Sequence, residues 1–361
     1  MMYKEMRLFY FGNEQQKSDV YFQIILPLLS KHLKAHSYFV KRDWNGGPNY
    51  KVVFEDQAWN QASVYKEYLS SVKNDYSVSE EELAENISSY QQLGSVIGEI
   101  ERADTALVDR QNHLKIVMTS LDISQMKKLY NSQGHLALQF QSLMKLQDVV
   151  NQYGKKIIAA PIADRYILFM QLMLQVLSYS NLEDKYSMMV YLSNSEGILA
   201  VADGYGKRKK MMTKFDTLYN ALPLDTLRFP KKQFADVLGH WQKLFDQINK
   251  EINAYIQTNE LYTDGYYSKE EQHKHLQQNI GKINSDFHDQ ALMNNFSDVT
   301  AHKTHQQFRF LINIEYQVMH MLGITFKEKA FLCHALPRFI MEETGSSWQE
   351  ILSERRVTIE T

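Results

Sequence analysis

The scarcity of chain-breaking residues is the feature that most constrains this chain. It contains only 15 Gly and 6 Pro in 361 residues, below the average usage of about 7% and 5%. Gly and Pro weaken or interrupt regular structure, so long uninterrupted elements are expected. Stretches such as 162–179 and 233–257 carry apolar residues at helical spacing. We therefore predict a chain built mostly of helices.

The first residues differ from the rest because short apolar runs alternate with turn residues. The runs 38–40 and 50–54 flank the turn Asn45-Gly46-Gly47-Pro48, where Gly allows a positive φ and Pro fixes the next dihedral. A β-type run over 7–11 and a helical pattern over 20–33 precede this hairpin. The expected order is therefore β-α-β-β.

The predicted fold class is α+β. Residues 1–56 are expected to form a small N-terminal β-sheet lobe, packed on a larger and mainly helical body of residues 57–361, in a single unit. Residues 113–118 are a further strand candidate. Apolar spacing predicts helices over 57–74, 79–101, 122–153, 162–179, 184–202, 233–257, 273–291, 305–322 and 327–343.

Composition excludes several classes of protein. The net charge of -2 gives no global basic excess that would indicate nucleic-acid binding. No apolar run approaches the roughly 20 residues of a membrane-spanning helix, and the first residues lack the pattern of a signal peptide. We expect a cytoplasmic protein with no membrane partner and no direct nucleic-acid contact.

No motif for a cofactor is present. The chain lacks G-x-G-x-x-G, G-x-x-x-x-G-K-[ST] and H-E-x-x-H. The pairs His302/His305 and His273/His275 are more simply solvated or hydrogen-bonded histidines than metal ligands. The lone Cys333 is expected to be a small buried hydrophobe. We therefore predict no metal and no cofactor.

The basic run 207–210 follows a helical stretch rather than a strand. That context argues against a phosphate-binding loop. It is expected to be a solvated basic segment, with an electrostatic docking site for an acidic partner as the alternative.

Two cations flank the predicted hairpin. Arg42 precedes the turn, and Lys51 follows it between the apolar positions 50 and 52. Because side chains alternate along a strand, Lys51 is either a half-buried, cleft-facing charge or a solvent-facing edge residue. We predict that Arg42 and Lys51 line one cleft, where they would bind an anion.

Three ordered segments resemble one family, the C-terminal domain of lantibiotic dehydratases, which also occurs alone as the thiopeptide-type bacteriocin biosynthesis protein. Residues 39–54 resemble the hairpin F-x-R-x-x-x-x-G-P-H-[LI]-R-[LF]-R-F, and 192–197 resemble the helix motif S-H-x-E-G. Residues 317–333, with Leu322-Gly323-Ile324, are similar to the closing H-M-x-x-N-R-L-x-G-[IV] segment. The resemblance covers most of the chain.

The resemblance implies an α+β fold and maturation of a ribosomally made precursor peptide that carries a leader. Family members remove glutamate from glutamylated Ser or Thr, and close relatives form the thiopeptide pyridine ring by a formal cycloaddition. Lys51, Val53 and Asn49 replace two arginines and a histidine of the hairpin motif. Asn194 and Glu315 stand at histidine positions of the other two motifs.

The leading hypothesis is a stand-alone glutamate eliminase served by a separate tRNA-dependent glutamylating subunit. Its alternatives are a pyridine-forming enzyme and a non-catalytic protein that binds the leader or scaffolds a partner. We expect the leader to add a strand to the N-terminal sheet. The expected catalytic residues are Arg42, Lys51, His305 and Glu315. The expected substrate-binding residues are Asn49, Tyr50, Ser193, Asn194 and Glu196.

Overall fold

The computed structural model describes residues 3–33, 37–55, 61–101, 108–121, 133–180, 182–229, 231–259, 285–293 and 303–359. The chain forms two compact units. The sheet unit comprises Met1–Asp122, Leu143–Lys155 and His320–Gly323, and the helical unit comprises Ile123–Ser142, Lys156–Met319 and Ile324–Thr361. A small N-terminal sheet in a mostly helical chain confirms the predicted α+β class.

The sheet has four antiparallel strands in the order β2-β3-β1-β4. They are β1 (Tyr3–Phe9), β2 (Tyr38–Asp43), β3 (Asn49–Glu55) and β4 (Ile116–Ser120). Between β1 and β2 lie α1 (Glu14–Val20), a π-helical turn (Tyr21–Ile25) and α2 (Leu26–His32). The β-α-β-β prediction is therefore confirmed, and β4 overlaps the predicted strand 113–118.

One face of the sheet forms the core of the sheet unit. Tyr50, Val52 and Phe54 of β3 are all at most 4% exposed, and burying such a side chain contributes about 1.5–3 kcal/mol. Tyr50 stacks on Tyr21 with ring centroids 5.1 Å apart. The side-chain amide of Gln147 accepts a hydrogen bond from the backbone N–H of Val40 at 2.8 Å. Gln147 therefore satisfies one backbone N–H on the open edge of β2, the strand at one end of the sheet.

The remaining helices follow the predicted order. They are α3 (Gln61–Asp75), α4 (Glu80–Glu101), α5 (Gln133–Ala159), α6 (Ile162–Leu177), α7 (Asp184–Ser187), α8 (Met189–Gly204), α9 (Arg208–Asn220), α10 (Ala235–Ile256), α11 (Asp286–Met293), α12 (Lys303–Met321), α13 (Phe326–Thr344) and α14 (Trp348–Ile359). In the helical unit, α8 packs against α13, α9 and α11. Among the described helices, none is long and apolar enough to cross a membrane.

The structure differs from the sequence predictions in two helices. The run 207–210 is solvated as expected, with Lys207, Lys209 and Lys210 exposed, but it is part of a helix, because α9 begins within it at Arg208. This helix buries only Phe215 and Tyr219, one turn apart, which is too little apolar spacing to be recognised in the sequence. The helix α14 was also not predicted. His273, His275 and His302 lie outside the described residues, as do 122–132 and 273–284 of the predicted helices.

The hairpin turn depends on Gly47. Its φ is +115°, and a Cβ at this position would overlap the ring of Phe11, so alanine meets both backbone strain and a clash. We expect Gly47→Ala to lower the free energy of unfolding by about 2–4 kcal/mol, measured by urea denaturation. Gly239→Ala is the control, because its Cβ would meet no described atom within 4 Å. In the interior of α10 it should stabilise by about 1 kcal/mol.

Candidate functional site

The strand register decides which charged side chains of the sheet unit share a face. Lys51 of β3 lies directly opposite Lys41 of β2 and Arg7 of β1, whereas Arg42 lies opposite Tyr50. Directly opposed residues point to the same face, so Arg42 and Lys51 point to opposite faces. The prediction that they line one cleft is wrong. A hairpin turn brings residues of its two strands close together, but the strand register decides to which face of the sheet each side chain points.

Lys51 belongs to a cluster that we call the charged sheet face, formed by Glu5, Arg7, Lys41, Asp43 and Lys51. The Glu5 carboxylate bridges two cations, with its Oε1 2.6 Å from Arg7 Nε and its Oε2 2.6 Å from Lys51 Nζ. Asp43 Oδ2 lies 3.8 Å from Lys51 Nζ. The Lys51 side chain is 13% exposed, so the half-buried alternative is the one observed.

The charged sheet face carries three cations and two carboxylates. Burial opposes ionisation of Asp43, but Lys41 and Lys51 outweigh it and lower the pKa of Asp43. Like charges placed directly opposite one another in a sheet repel, and the carboxylates offset this for the row of Lys41, Lys51 and Arg7. Glu55 follows Lys51 and Val53 on the same face of β3, so the face as a whole carries no net charge and presents cations beside carboxylates.

Arg42 belongs to a second cluster on the opposite face, together with Glu14, Lys17 and Tyr90. Glu14 Oε2 lies 2.7 Å from Arg42 Nη2, and Glu14 Oε1 forms an ion pair with Lys17 Nζ. Lys17 is 4% exposed, and its Nζ also contacts the Tyr90 hydroxyl. Burial lowers the pKa of Lys17 to about 8. Sequence reasoning missed this cluster because it began the first helix at Val20.

Asn49 and Tyr50 have structural contacts. The Asn49 amide donates to the carbonyl of Gly47 at 2.9 Å, which stabilises the turn. The Tyr50 hydroxyl donates to the carbonyl of Lys17 at 2.6 Å. Both side chains are 4% exposed, so neither presents a surface to a peptide in this arrangement. Their predicted roles in substrate binding stay predictions.

In the helical unit, α8 carries Ser193, Asn194 and Glu196. Ser193 Oγ lies 3.1 Å from His288 Nε2, and His288 Nδ1 lies 3.0 Å from Ser285 Oγ. The motif at 192–197 marked Ser193, but its partner His288 lies far along the chain. No spacing rule in the sequence connects these two residues.

Glu196 lies one turn beyond Ser193 and faces Arg208 at the start of α9, with Arg208 Nη2 2.8 Å from Glu196 Oε2. Two polar atoms at this pair are buried without a hydrogen-bond partner among the described residues, Arg208 Nη1 and His334 Nδ1, and Asn194 Oδ1 of α8 is a third such atom. A buried polar atom without a partner is costly. Such atoms are common where a ligand or water completes the hydrogen bonding.

Glu315 of α12 is enclosed, with 1% exposure. The Tyr191 hydroxyl donates to its Oε2 at 2.6 Å, whereas its Oε1 has no partner among the described residues. Burial raises the pKa of Glu315 to about 8, although the hydrogen bond from Tyr191 acts in the opposite direction. Glu315 is therefore mostly protonated at neutral pH and can donate a proton.

Two further candidate residues, His305 and Cys333, lie in the helical unit. His305 lies at the start of α12 and is partly exposed. Cys333 is fully buried, and burial raises the pKa of its thiol to about 12, which confirms that it is a structural hydrophobe rather than a nucleophile. Among the described residues no three His, Cys, Asp or Glu side chains converge to hold a metal ion.

Comparison with known proteins assigns the fold. No family model and no curated protein matches the chain. The solved structure of the pyridine synthase TbtD from thiomuracin biosynthesis is similar, with a TM-score of 0.63 and 12% identity over 96% of this chain and 99% of that chain. TsrL is also similar, with a TM-score of 0.58 and 11% identity over 97% of each chain. At such low identity, these matches establish a shared fold.

Proposed function

We propose that this protein matures a ribosomally made precursor peptide and that its reaction is the elimination of glutamate from a glutamylated Ser or Thr. The observation that carries this proposal is the charged sheet face, with its row of Lys41, Lys51 and Arg7 held by Glu5 and Asp43. A glutamyl ester carries one carboxylate and one ammonium group. The charged sheet face presents both cations and carboxylates, which match both charges of the ester.

The elimination needs a base and a means to stabilise negative charge. The base removes the Cα proton of the esterified residue, the Cα–Cβ double bond forms, and the Cβ–O bond breaks to release glutamate as a carboxylate. Lys51 and Arg7 would stabilise the departing carboxylate through charge-assisted hydrogen bonds. Glu5 lies between them and is the candidate base in the sheet unit. When Arg7 and Lys51 pair with the substrate carboxylate instead, the Glu5 carboxylate would be free to accept the proton.

The pyridine-forming reaction is the second candidate, favoured by the fold shared with the pyridine synthase TbtD over nearly the whole of both chains. Ring closure between two dehydro-amino acids requires a backbone amide to shift a proton from nitrogen to oxygen. A neutral carboxyl group can donate one proton and accept another. Glu315 has the raised pKa for this role, and His305 is the other acid–base candidate of α12.

The test is a pair of incubations followed by mass spectrometry. One uses a leader-bearing precursor with glutamylated Ser, and the other uses a precursor in which dehydroalanine is already present. Loss of glutamate in the first incubation supports elimination. Ring formation with release of the leader in the second supports pyridine synthesis. Leader binding without turnover of either peptide identifies a scaffold, and hydrogen exchange then locates the leader on the sheet unit or elsewhere.

Variants assign the reaction to its residues. If elimination is correct, Lys51→Gln and Arg7→Gln should each lower turnover by about 100-fold or more, because each removes a charge that stabilises the transition state. Lys31→Gln is the matched control, because Lys31 forms an exposed ion pair with Glu67 in the same unit. Equal activity of Lys51→Gln and Lys31→Gln would contradict the assignment.

If pyridine formation is the reaction, Glu315→Gln should impair that reaction instead.

A further inference from the structure

A chain of three side chains in the helical unit has the geometry of a nucleophile with its base. Ser193 Oγ is 3.1 Å from His288 Nε2, and the other ring nitrogen of His288 is 3.0 Å from Ser285 Oγ. Both distances lie in the range of about 2.6–3.2 Å expected for a nucleophile, its base and an orienting group. Ser285 is 2% exposed, so it holds the imidazole from the buried side.

Among the described residues, the face of α8 beside Ser193 has room for a ligand. Residues four apart on a helix are neighbours, so Gly197 lies next to Ser193. A Cβ at Gly197 would meet no described atom within 4 Å. Ser193 and His288 are themselves partly exposed. Among the described residues, Ser193 is therefore accessible from the side of Gly197.

The surroundings of Ser193 favour an acidic substrate. Glu196 lies one turn away and holds Arg208 through one guanidinium nitrogen, while Arg208 Nη1 has no partner among the described residues. Lys207, Lys209 and Lys210 beside it are exposed. The start of α9 therefore offers positive charge and an unpaired, buried hydrogen-bond donor beside Glu196, the residue one turn from Ser193.

We propose that Ser193, His288 and Ser285 form a second active site that hydrolyses esters of acidic acyl groups. With the imidazole proton on Nδ1, His288 donates to Ser285 Oγ and accepts the Ser193 proton at Nε2. Ser193 Oγ attacks the acyl carbon, and the alcohol leaves with the proton from Nε2. Water then attacks the acyl-serine and passes its proton to His288, the bond from the acyl carbon to Ser193 Oγ breaks, and His288 returns the proton to Oγ as the carboxylic acid leaves.

The protonation state of His288 fits this role. Burial lowers the pKa of His288, while Glu196 of α8 and Asp289 of α11 act in the opposite direction. The imidazole is therefore neutral at pH 7 and able to accept a proton. Hydrolysis should decline as the pH falls and His288 becomes protonated.

The first experiment treats the intact protein with a fluorophosphonate probe and identifies the modified residue by peptide mass spectrometry. We expect one adduct on Ser193, absent in Ser193→Ala and reduced at least 100-fold in rate in His288→Asn. Ser353→Ala, a substitution of an exposed helical serine, should label like the wild-type protein. Failure of the folded wild-type protein to label at Ser193 would overturn the proposal without reliance on any variant.

The second experiment tests the substrate class with two esters of matched length, 4-nitrophenyl hydrogen succinate and 4-nitrophenyl butyrate. We expect kcat/KM to be at least 10-fold higher for the succinate and this preference to disappear in Arg208→Gln. Ser285→Ala should lower kcat with little change in KM, because Ser285 positions the base without touching substrate. Equal hydrolysis of both esters by the wild-type protein would refute the acidic substrate class.

Discussion

Replacing Glu315 with glutamine should remove a large part of the pH dependence of stability. Burial raises the pKa of Glu315 to about 8 in the folded protein, against an ordinary value of 4.5. Between these values the folded state binds more protons than the unfolded state, so the free energy of unfolding falls as the pH rises. At about 1.4 kcal/mol per unit, the fall from pH 4.5 to 8 approaches 4 kcal/mol.

Glutamine does not titrate, so the variant should lack this fall. Its side-chain oxygen can still accept from the Tyr191 hydroxyl, and its amide N–H groups add a cost that does not vary with pH. The measurement is the free energy of unfolding of both proteins by urea denaturation at pH 5, 6.5 and 8. Comparing the two proteins at each pH cancels the contributions of the other titrating groups. Tyr191→Phe removes the hydrogen bond that lowers the pKa of Glu315, and should extend the fall to higher pH. Parallel curves for wild type and Glu315→Gln would show that Glu315 is already ionised at pH 5.

Replacing Glu14 with glutamine should destabilise the sheet unit. Glu14 is the shared counter-charge of Lys17 and Arg42, and removing one partner of a buried ion pair costs about 3–5 kcal/mol. The Glu14 side chain is 53% exposed, so solvent screening reduces the expected loss to about 1–3 kcal/mol at pH 7. The matched control is Glu67→Gln, which removes the partner of the exposed Lys31 and should cost less than about 1 kcal/mol.

The pH dependence separates this electrostatic effect from a packing defect. The pKa of Lys17 is lowered to about 8 in the folded protein, from 10.5. Wild-type stability therefore rises with pH between these values, where the unfolded state binds more protons. Loss of Glu14 lowers the pKa of Lys17 further, so in the variant this rise should begin below pH 8. The difference between the two proteins should shrink by pH 9.5, whereas a packing defect would stay constant.

The hairpin and most helices could be predicted because local rules determine them. The turn Asn45-Gly46-Gly47-Pro48 has the residues that positive φ requires, and Gly46 and Gly47 have φ of 79° and 115°. Lys51 was recognised as unusual because its neighbours Tyr50 and Val52 are apolar, and it is indeed half buried. These signals lie within a few residues of one another.

The parts that could not be predicted depend on distant contacts. The face of Arg42 is set by pairing with Tyr50, and a one-residue change of register would reverse it. Glu5 and Arg7 join Lys51 through the pairing of β1 with β3. His288 meets Ser193 only through the packing of α11 on α8. Sequence motifs therefore marked single members of each cluster but not their partners.

The discontinuous composition of the sheet unit has a consequence for how the protein is made. The unit takes its last segment, His320–Gly323, from far beyond its first, Met1–Asp122. A ribosome adds about 5–20 residues per second, and domains generally fold as units during synthesis. The nascent sheet therefore waits on the order of tens of seconds before its last segment emerges. During that interval Gly154 of the second segment lacks its neighbour Leu322, so the packing of this unit is completed only late in synthesis.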